Sequence, residues 1–526
     1  MIKRIVLVIW LLAAANTVWA QVWQWCISVD SMVSSETGGH PQAYLWIPEN
    51  CRQVRGVVFA QHNMIEEGIL EHPVFRAAMT KLGFAEVWVT PGIDMPFDFN
   101  KDAGKNFQRM MDLLAEESGY TELRSAPVVA VGHSAYATFP WNFAAWAPQR
   151  TLALVSVHGD APQTPLTGYG GKNVAWSGRD IDGIPALFVM GEYEWWEDRI
   201  TPGFDYVRSH PRAAISFFAD AGHGHFDYSD ALVAYLCMFI EKAAAARMGA
   251  AGRLRPVNPR QGWLMDRWRK DSLPLFTPAL YKNYTGNRYR ASWVFDKEMA
   301  IETERIYAKA RGKKEQYIGF MQNGAVLLPQ KSHAVFVGQF TPLEDGLSFK
   351  INTFFADSSK ARTGREHAAT PLRLSKICGP VAKVNDSVFR VHFDKLGFDN
   401  KKRSNDIWLL AHNDGDSIYK SAVQQLDLHF PLTNESGDAQ TIYFPELEDV
   451  SRFTRSVQLL AKSSALLPVH YYVKQGPACI KGAELILTKI PPGAKYPVKI
   501  TVVAWQYGIA GKWQSALPVE RVFYIR

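Results

Sequence analysis

The 526-residue sequence is poor in cysteine and carries none of the common metal-binding motifs. Its five cysteines are dispersed and include no C-x-x-C pair, so neither a disulfide framework nor a zinc site is indicated. H-E-x-x-H spacing is also absent. Export would permit a Cys26–Cys51 bridge, whereas Cys237 lies in an apolar helical pattern that predicts a buried free thiol.

Long apolar runs are missing beyond the N-terminus, so the sequence predicts no membrane helix there. Met1–Arg4 is short and basic, Ile5–Ala15 is apolar but too short to span a bilayer, and Ala20 is a small residue at a cleavage position. This pattern predicts a signal peptide over residues 1–20 and a periplasmic or secreted protein that begins near Gln21.

No segment concentrates charge of one sign. The 58 Lys and Arg residues and 51 Asp and Glu residues give a net charge of +7 and are scattered along the chain, which argues against nucleic acid as a partner. Hydrophobic residues make up 47% of the sequence, as is typical of a globular protein. The 17 Trp residues could pave a sugar- or aryl-binding surface, although large cores use the same side chains.

Short apolar β-branched runs alternate with helical patterns in the first half of the chain, which predicts an α/β domain over residues 21–248. Most of these runs are continuously apolar, as strands buried on both faces of a parallel sheet should be. The predicted strands are Gln42–Ile47, Arg55–Ala60, Ala85–Thr90, Pro127–Val131, Leu152–Val157, Pro185–Met190 and Ala214–Phe218. The predicted helices are His72–Leu82, Lys105–Ser118 and Ser229–Arg247.

The pattern changes after Met248. Residues 249–346 are rich in proline and aromatics and contain one convincing helix at Asp296–Arg311, which indicates a connector that packs on the first domain. From residue 347 to residue 526 alternating strands separated by turn residues dominate, which predicts a β-sandwich domain. No serine, histidine and acid stand in a catalytic context there, so we expect this domain to contribute binding or stability and to be dispensable for chemistry on small substrates.

The stretch "VVAVGHSAYATFPW" (128–141) contains a candidate nucleophile. A strand leads directly into Gly132-His133-Ser134, as in a nucleophile elbow, where a strained turn projects the serine hydroxyl above the sheet. The alternative is an ordinary turn serine after a buried strand. Tyr136 stands where such an elbow has its second glycine, and Pro140 predicts that the following helix begins late.

Candidate partners for Ser134 follow later in the chain. A serine needs an imidazole to remove its proton, and the imidazole needs a carboxylate to fix its tautomer. Glu194 follows a buried strand that ends in Gly191, and the rival acids are Glu192, Glu197, Asp198 and Asp160. The motif Gly222-His223-Gly224-His225 offers two histidines, of which His223 is favoured and His225 is the alternative base.

Together these residues resemble the α/β-hydrolase superfamily over roughly Gln42–Arg247. The resemblance implies that Ser134 is the nucleophile, His223 or His225 the base and Glu194 the acid, and that no cofactor or metal is required. It further implies that the backbone N–H groups of Ala135 and of Asn63 or Met64 stabilise the oxyanion. His62 and His133 are interpreted as structural or pocket-lining residues.

The predicted function is an exported serine esterase. Export, the appended β domain and the tryptophans Trp141, Trp146, Trp176, Trp195 and Trp196 favour an acyl or methyl ester on a glycan as substrate. The competing interpretations are a non-catalytic protein that binds glycan or cell wall, which Tyr136 favours, and a serine peptidase or amidase, since the same triad cleaves amides.

Overall fold

The computed structural model describes residues 22–165, 167, 170–195, 197–249 and 253–526. The predicted signal peptide, its cleavage site and Trp196 lie outside these residues. Among the helices of the described ranges, none is long and apolar enough to cross a bilayer.

An eight-stranded sheet forms the centre of the N-terminal half, in the order β1-β2-β4-β3-β5-β6-β7-β8. Its strands are β1 (Trp25–Ser28), β2 (Gln42–Trp46), β3 (Gly56–Gln61), β4 (Phe84–Thr90), β5 (Val128–His133), β6 (Thr151–Val157), β7 (Pro185–Gly191) and β8 (Ala214–Asp220). Strand β2 is antiparallel to both of its neighbours, and all the other pairs are parallel. The predicted strands are all present, and only the short edge strand β1 was not predicted.

Helices cover both faces of this sheet. They are α1 (Glu66–Leu70), α2 (Pro73–Leu82), α3 (Ala103–Ser118), α4 (Phe139–Trp146), α5 (Glu197–Ser209) and α6 (Asp230–Arg247). One apolar cluster joins α1, α2 and α6 to one face of the sheet, and a second joins α3 and α4 to the opposite face. This architecture confirms the predicted α/β-hydrolase fold class.

The segment after α6 packs along the edge of the sheet at β8. It contains β9 (Trp263–Asp266), β10 (Ala279–Leu280), β11 (Ala291–Val294) and α7 (Lys297–Ala310). Ser216 Oγ donates to the Trp293 carbonyl at 2.6 Å, and Ser292 Oγ accepts from the Phe217 N–H at 2.9 Å. The connector therefore covers an edge strand that would otherwise expose unpaired backbone groups.

Residues 317–526, here called the β region, consist of antiparallel and mixed sheets, in accord with the predicted β-rich fold. The strands are β12 (Tyr317–Gln322), β13 (Ala325–Val326), β14 (Phe336–Val337), β15 (Ser348–Lys350), β16 (Asn352–Ala356), β17 (Arg373–Cys378), β18 (Val381–Lys383), β19 (Val388–Val391), β20 (Asp406–Asn413), β21 (Ala422–His429), β22 (Gly437–Asp438), β23 (Ile442–Tyr443), β24 (Ser456–Gln458), β25 (Lys462–Ser463), β26 (His470–Gln475), β27 (Ala478–Lys481), β28 (Glu484–Leu487), β29 (Val498–Trp505), β30 (Lys512–Trp513) and β31 (Val519–Ile525). Strand β12, which the sequence placed in the connector, pairs with β16, so this sheet starts about 30 residues before residue 347.

Two apolar cores stabilise the β region, and strand β29 belongs to both. Val503 and Trp505 pack into the first core, which spans residues 318–507. Val498, Ile500 and Val502 pack into the second core, which spans residues 444–525. Because successive side chains of a strand point to opposite faces, β29 forms a wall common to the two cores.

Candidate active site

Ser134 lies at a sharp turn between strand β5 and helix α4. Its φ is +53°, a left-handed conformation that is uncommon for residues with a side chain and typical of a strained nucleophile elbow. A Cβ atom on Gly132 would lie 2.0 Å from the carbonyl oxygen of Tyr136, so only glycine fits at that position. The turn continues over Ser134–Tyr136 before α4 begins at Phe139, in agreement with the late helix start that Pro140 predicted.

Tyr136 is accommodated by another glycine. Its ring packs against Gly92, where a Cβ would lie 2.4 Å from the phenol ring, and only 7% of Tyr136 is exposed. The aromatic side chain therefore replaces the small elbow residue without displacing Ser134, because the space is provided by the loop after β4.

The structure places His225, and not His223, against Ser134. The distance between Ser134 Oγ and His225 Nε2 is 2.7 Å, a hydrogen-bond distance. His223 instead bonds through Nδ1 to Asp227, four residues further along the same loop. The preference for His223 as the partner of the serine is therefore corrected to His225, because Asp227 holds the first histidine within its own loop.

Glu194 lies in the turn Glu192–Glu194 that follows β7, and it contacts His225. Its Oε2 accepts a hydrogen bond from His225 Nδ1, which completes a continuous chain from Ser134 to the carboxylate. Burial alone would raise the pKa of Glu194, but the neighbouring His158 and His225 hold that pKa well below its usual range. The carboxylate therefore stays ionised beside the imidazole.

The other acids that the sequence offered are engaged elsewhere or face solvent. Glu192 pairs with Lys420, Glu197 with Arg267, and Asp160 with Arg199, while Asp198 is exposed.

Sequence reasoning missed His158, which contacts the second oxygen of Glu194. His158 follows strand β6, is fully buried and bonds through Nδ1 to Glu194 Oε1. Burial lowers the pKa of His158, but the Glu194 carboxylate outweighs this effect and raises that pKa above its ordinary value. The available signal was its position, since functional side chains of open α/β sheets gather at the carboxyl ends of the strands.

Histidine and carboxylate atoms at this site are close enough to hold a metal ion. One ligand atom each from His158, Glu194 and His225 lies within 4.8 Å of the others. Glu194 and His225 also form the hydrogen-bonded chain to Ser134, so an ion there would compete with that chain for Glu194.

The role of the Ala135 N–H at the oxyanion stays a prediction, whereas the N–H group of Asn63 has another partner. Ala135 follows Ser134 at the start of a 3-10 turn, where the first N–H groups have no partner within the turn. The N–H groups of Asn63 and Met64 both donate to Glu66 Oε2, at 3.2 and 2.9 Å. The predicted Asn63 donor and its alternative Met64 are thus both already engaged by the Glu66 carboxylate.

Glu66 also accepts from the N–H of His133 at 3.0 Å, so its carboxylate links the loop after β3 to the strand that carries Ser134. Only 1% of Glu66 is exposed. Burial raises the pKa of Glu66 to about 7, against the opposing effect of these backbone hydrogen bonds.

The buried His133 side chain links two loops through hydrogen bonds. Its Nε2 donates to the carbonyl of His225 at 2.7 Å, and its Nδ1 accepts from Asn63 Nδ2 at 3.2 Å. Burial and the neighbouring histidines hold the pKa of His133 well below its usual value, so the ring stays neutral. His62, by contrast, lines the cavity above the serine.

A cavity of about 1050 Å³ opens onto Ser134 between the α/β domain and the β region. Residues from both parts line it, among them Met64, Ser134, Phe226, His333, Cys378, His392, Arg403 and Trp408. Nearly two thirds of the lining residues come from the β region, so this region contributes most of the wall of the cavity that faces Ser134.

The expectation for two of the tryptophans also needs correction. Trp141 and Trp176 are only 1% and 3% exposed and pack in the core, so they offer no sugar-binding surface. The five cysteines are all free, and Cys26 does not pair with Cys51.

The His223–Asp227 pair predicts a pH effect on stability. Burial lowers the pKa of His223, but Asp220 and Asp227 outweigh it and raise that pKa to about 10. A histidine whose pKa is raised in the folded state stabilises the protein fully below its unfolded value of about 6.5, and this stabilisation is lost as the pH rises through the folded value. We expect His223→Gln to lower the free energy of unfolding at pH 6 and to approach wild-type stability near pH 10, in urea melts at both pH values. A constant difference between the proteins across this range would contradict the assignment.

No protein-family model matches the chain, and no curated protein matches it in sequence. Among solved structures, it is similar to Est1E from Butyrivibrio proteoclasticus, with 14% identity and a TM-score of 0.29, over 42% of this chain and 100% of that one. It is also similar to an S-formylglutathione hydrolase from Agrobacterium tumefaciens, with 11% identity and a TM-score of 0.31, over 42% of this chain and 94% of that one. A hyperthermophilic esterase from the archaeon Pyrobaculum calidifontis matches with 16% identity and a TM-score of 0.30, over 40% of this chain and 83% of that one.

Proposed function

We propose that this protein is an exported serine hydrolase that cleaves carboxylic esters through an acyl-enzyme on Ser134. The observation that carries the proposal is the hydrogen-bonded chain from Ser134 Oγ to His225 Nε2, at 2.7 Å, and from His225 Nδ1 to Glu194. This arrangement is what a serine nucleophile requires, because it joins a base to the hydroxyl and a carboxylate to the base. The basic and apolar N-terminal segment supports export.

In the acylation step, His225 Nε2 takes the proton of Ser134 Oγ as the oxygen attacks the ester carbonyl. Glu194 stabilises the resulting imidazolium and holds its tautomer. The tetrahedral oxyanion forms beside the N–H of Ala135, at the start of the turn. The imidazolium then gives its proton to the leaving alcohol, which leaves the acyl group on Ser134.

Deacylation repeats these steps with water. His225 removes a proton from the attacking water, the second tetrahedral intermediate collapses, and the proton returns to Ser134 as the carboxylic acid leaves. No cofactor or metal enters this sequence of steps.

As substrate we propose an acyl or methyl ester on a glycan. The cavity volume of about 1050 Å³ lies at the upper end of the range for small-molecule sites and leaves room for a sugar beside the ester. Histidine and arginine side chains along its walls offer hydrogen-bond donors for hydroxyl groups. Export and the β region support the same substrate class, whereas the buried Trp141 and Trp176 do not contribute to it.

The competing interpretation as a non-catalytic binding protein loses its main support. It depended on Tyr136 in place of the second elbow glycine, and that ring fits against Gly92 while Ser134 keeps its partner His225.

Two assays test the proposal. A fluorophosphonate probe should label the wild-type protein at Ser134, and acetylated or methyl-esterified polysaccharides should release acetate or methanol, with Ser134→Ala as the blank. Absence of labelling in folded wild-type protein would reject the serine mechanism. Labelling with turnover of aryl esters alone, and none of esterified polysaccharides, would retain the esterase and reject the glycan substrate.

A further inference from the structure

Arg403 reaches from the β region to the loop that faces Ser134. It lies between β19 and β20, and its Nη1 donates to the carbonyl oxygen of Asn63 at 2.9 Å. Its Nε donates to Glu36 at 3.2 Å, which orients the guanidinium. The Arg403 side chain is 17% exposed and lines the same cavity as Ser134.

The contact fixes one particular peptide plane. The carbonyl of Asn63 and the N–H of Met64 belong to the same planar unit, so an anchor on one end sets the direction of the other. Arg403 holds the carbonyl end, and Glu66 holds the N–H end at 2.9 Å. The Asn63–Met64 peptide is thus held by two side chains, Glu66 of the α/β domain and Arg403, which lies 340 positions beyond Asn63.

This loop lies next to the reacting serine. Asn63 and Met64 line the cavity together with Ser134. Asn63 Nδ2 also donates to the backbone carbonyl of His133, the residue before Ser134, at 3.2 Å. A shift of the loop would therefore disturb, through His133, the position of Ser134 and of the Ala135 N–H beside the developing oxyanion.

We propose that Arg403 is a positioning residue for ester hydrolysis, through which the β region holds the Asn63–Met64 peptide in the geometry that the transition state requires. This inference rests on the proposed serine hydrolase function. It makes the β region part of the catalytic unit even for substrates too small to reach its own surfaces.

The neighbouring Lys402 provides a matched control. It carries the same charge and faces the same Glu36 at 3.7 Å, but it is 68% exposed, and no contact joins it to Asn63 among the described residues. If the positive charge or the fold of the segment around residues 402 and 403 were what matters, Lys402→Ala and Arg403→Ala would lower activity alike. If Arg403 acts through its contact with Asn63, only Arg403→Ala lowers it.

The test compares full-length wild type, Arg403→Ala, Arg403→Lys and Lys402→Ala on a small soluble aryl acetate. We expect Arg403→Ala to lower kcat by about 10- to 100-fold with KM changed by less than about threefold, because the lost contact acts on the transition state. The rate of fluorophosphonate labelling should fall in parallel, and added guanidinium should restore part of the activity. Arg403→Lys should lie between Arg403→Ala and wild type, and Lys402→Ala should match wild type.

The outcomes separate this inference from the proposed function. If wild type is labelled and hydrolyses the ester while Arg403→Ala keeps its kcat within about twofold, the positioning role is rejected and the esterase stands. Equal losses in Lys402→Ala and Arg403→Ala would also reject it. If Arg403→Ala melts far below wild type, the kcat of Arg403→Lys and the rescue of Arg403→Ala by guanidinium are used instead. The positioning role is then rejected if Arg403→Lys keeps the wild-type kcat and guanidinium restores no activity to Arg403→Ala. Unlabelled wild type would reject the proposed function itself.

Discussion

Ser134→Ala is expected to lower kcat for ester hydrolysis by about 10⁶-fold, since removing the nucleophile of such a triad abolishes the covalent pathway. The remaining rate should still exceed that in water by about 10³- to 10⁴-fold, because the Ala135 N–H and the binding site stay in place. Steady-state kinetics on an aryl acetate, with protein purified away from host esterases, measures the loss.

Two controls show whether the loss of activity in Ser134→Ala is chemical or comes from misfolding. Ser134 has a positive φ, a conformation that costs alanine about as much as serine, so the melting temperature of Ser134→Ala should be close to that of wild type. Ser229→Ala offers a matched serine substitution outside the site, at the cap of α6, where it should lower stability and spare kcat. Activity of folded Ser134→Ala within a few-fold of wild type would show that another residue is the nucleophile.

His225→Ala is expected to cost nearly as much kcat as Ser134→Ala, because the two residues act as a unit and neither works without the other. The matched comparison is His223→Ala in the same loop. Its imidazole bonds to Asp227 and not to Ser134, so kcat should stay within about tenfold of wild type.

The pH profile of kcat/KM and burst kinetics distinguish a chemical loss from a folding defect in these two variants. A larger loss in His223→Ala than in His225→Ala would reverse the assignment of the base. Equal and mild losses would place the base outside this loop.

Much of the α/β fold is predictable from local sequence. Strands such as β5 and β7 are buried on both faces and therefore read as continuous apolar runs, and the loops between them begin with glycine and polar residues. Strand β1 was missed because it has only four residues and lies at the edge of the sheet.

The candidate site was predictable only where its geometry follows from chain order. Ser134 and Glu194 each follow directly on a buried strand, so their position at the carboxyl edge of the sheet could be derived. The choice between His223 and His225 depends on how one loop folds around Asp227, which the sequence of that loop leaves open. His158 was signalled only by its position after β6, whereas Glu66 and Arg403 bond to His133 and Asn63 through contacts that no local pattern signals.

Strand β29 has a consequence for how the chain folds as it emerges, N-terminus first, from the ribosome or a translocation channel. All eight strands of the main sheet have emerged by Asp220, so this sheet can form while most of the β region is still to come. Neither core of the β region can close before β29, since residues 498–505 supply a wall to both. The nascent chain therefore exposes Ser134 and His225 first, and the cavity wall from the β region is completed only after β29 has emerged.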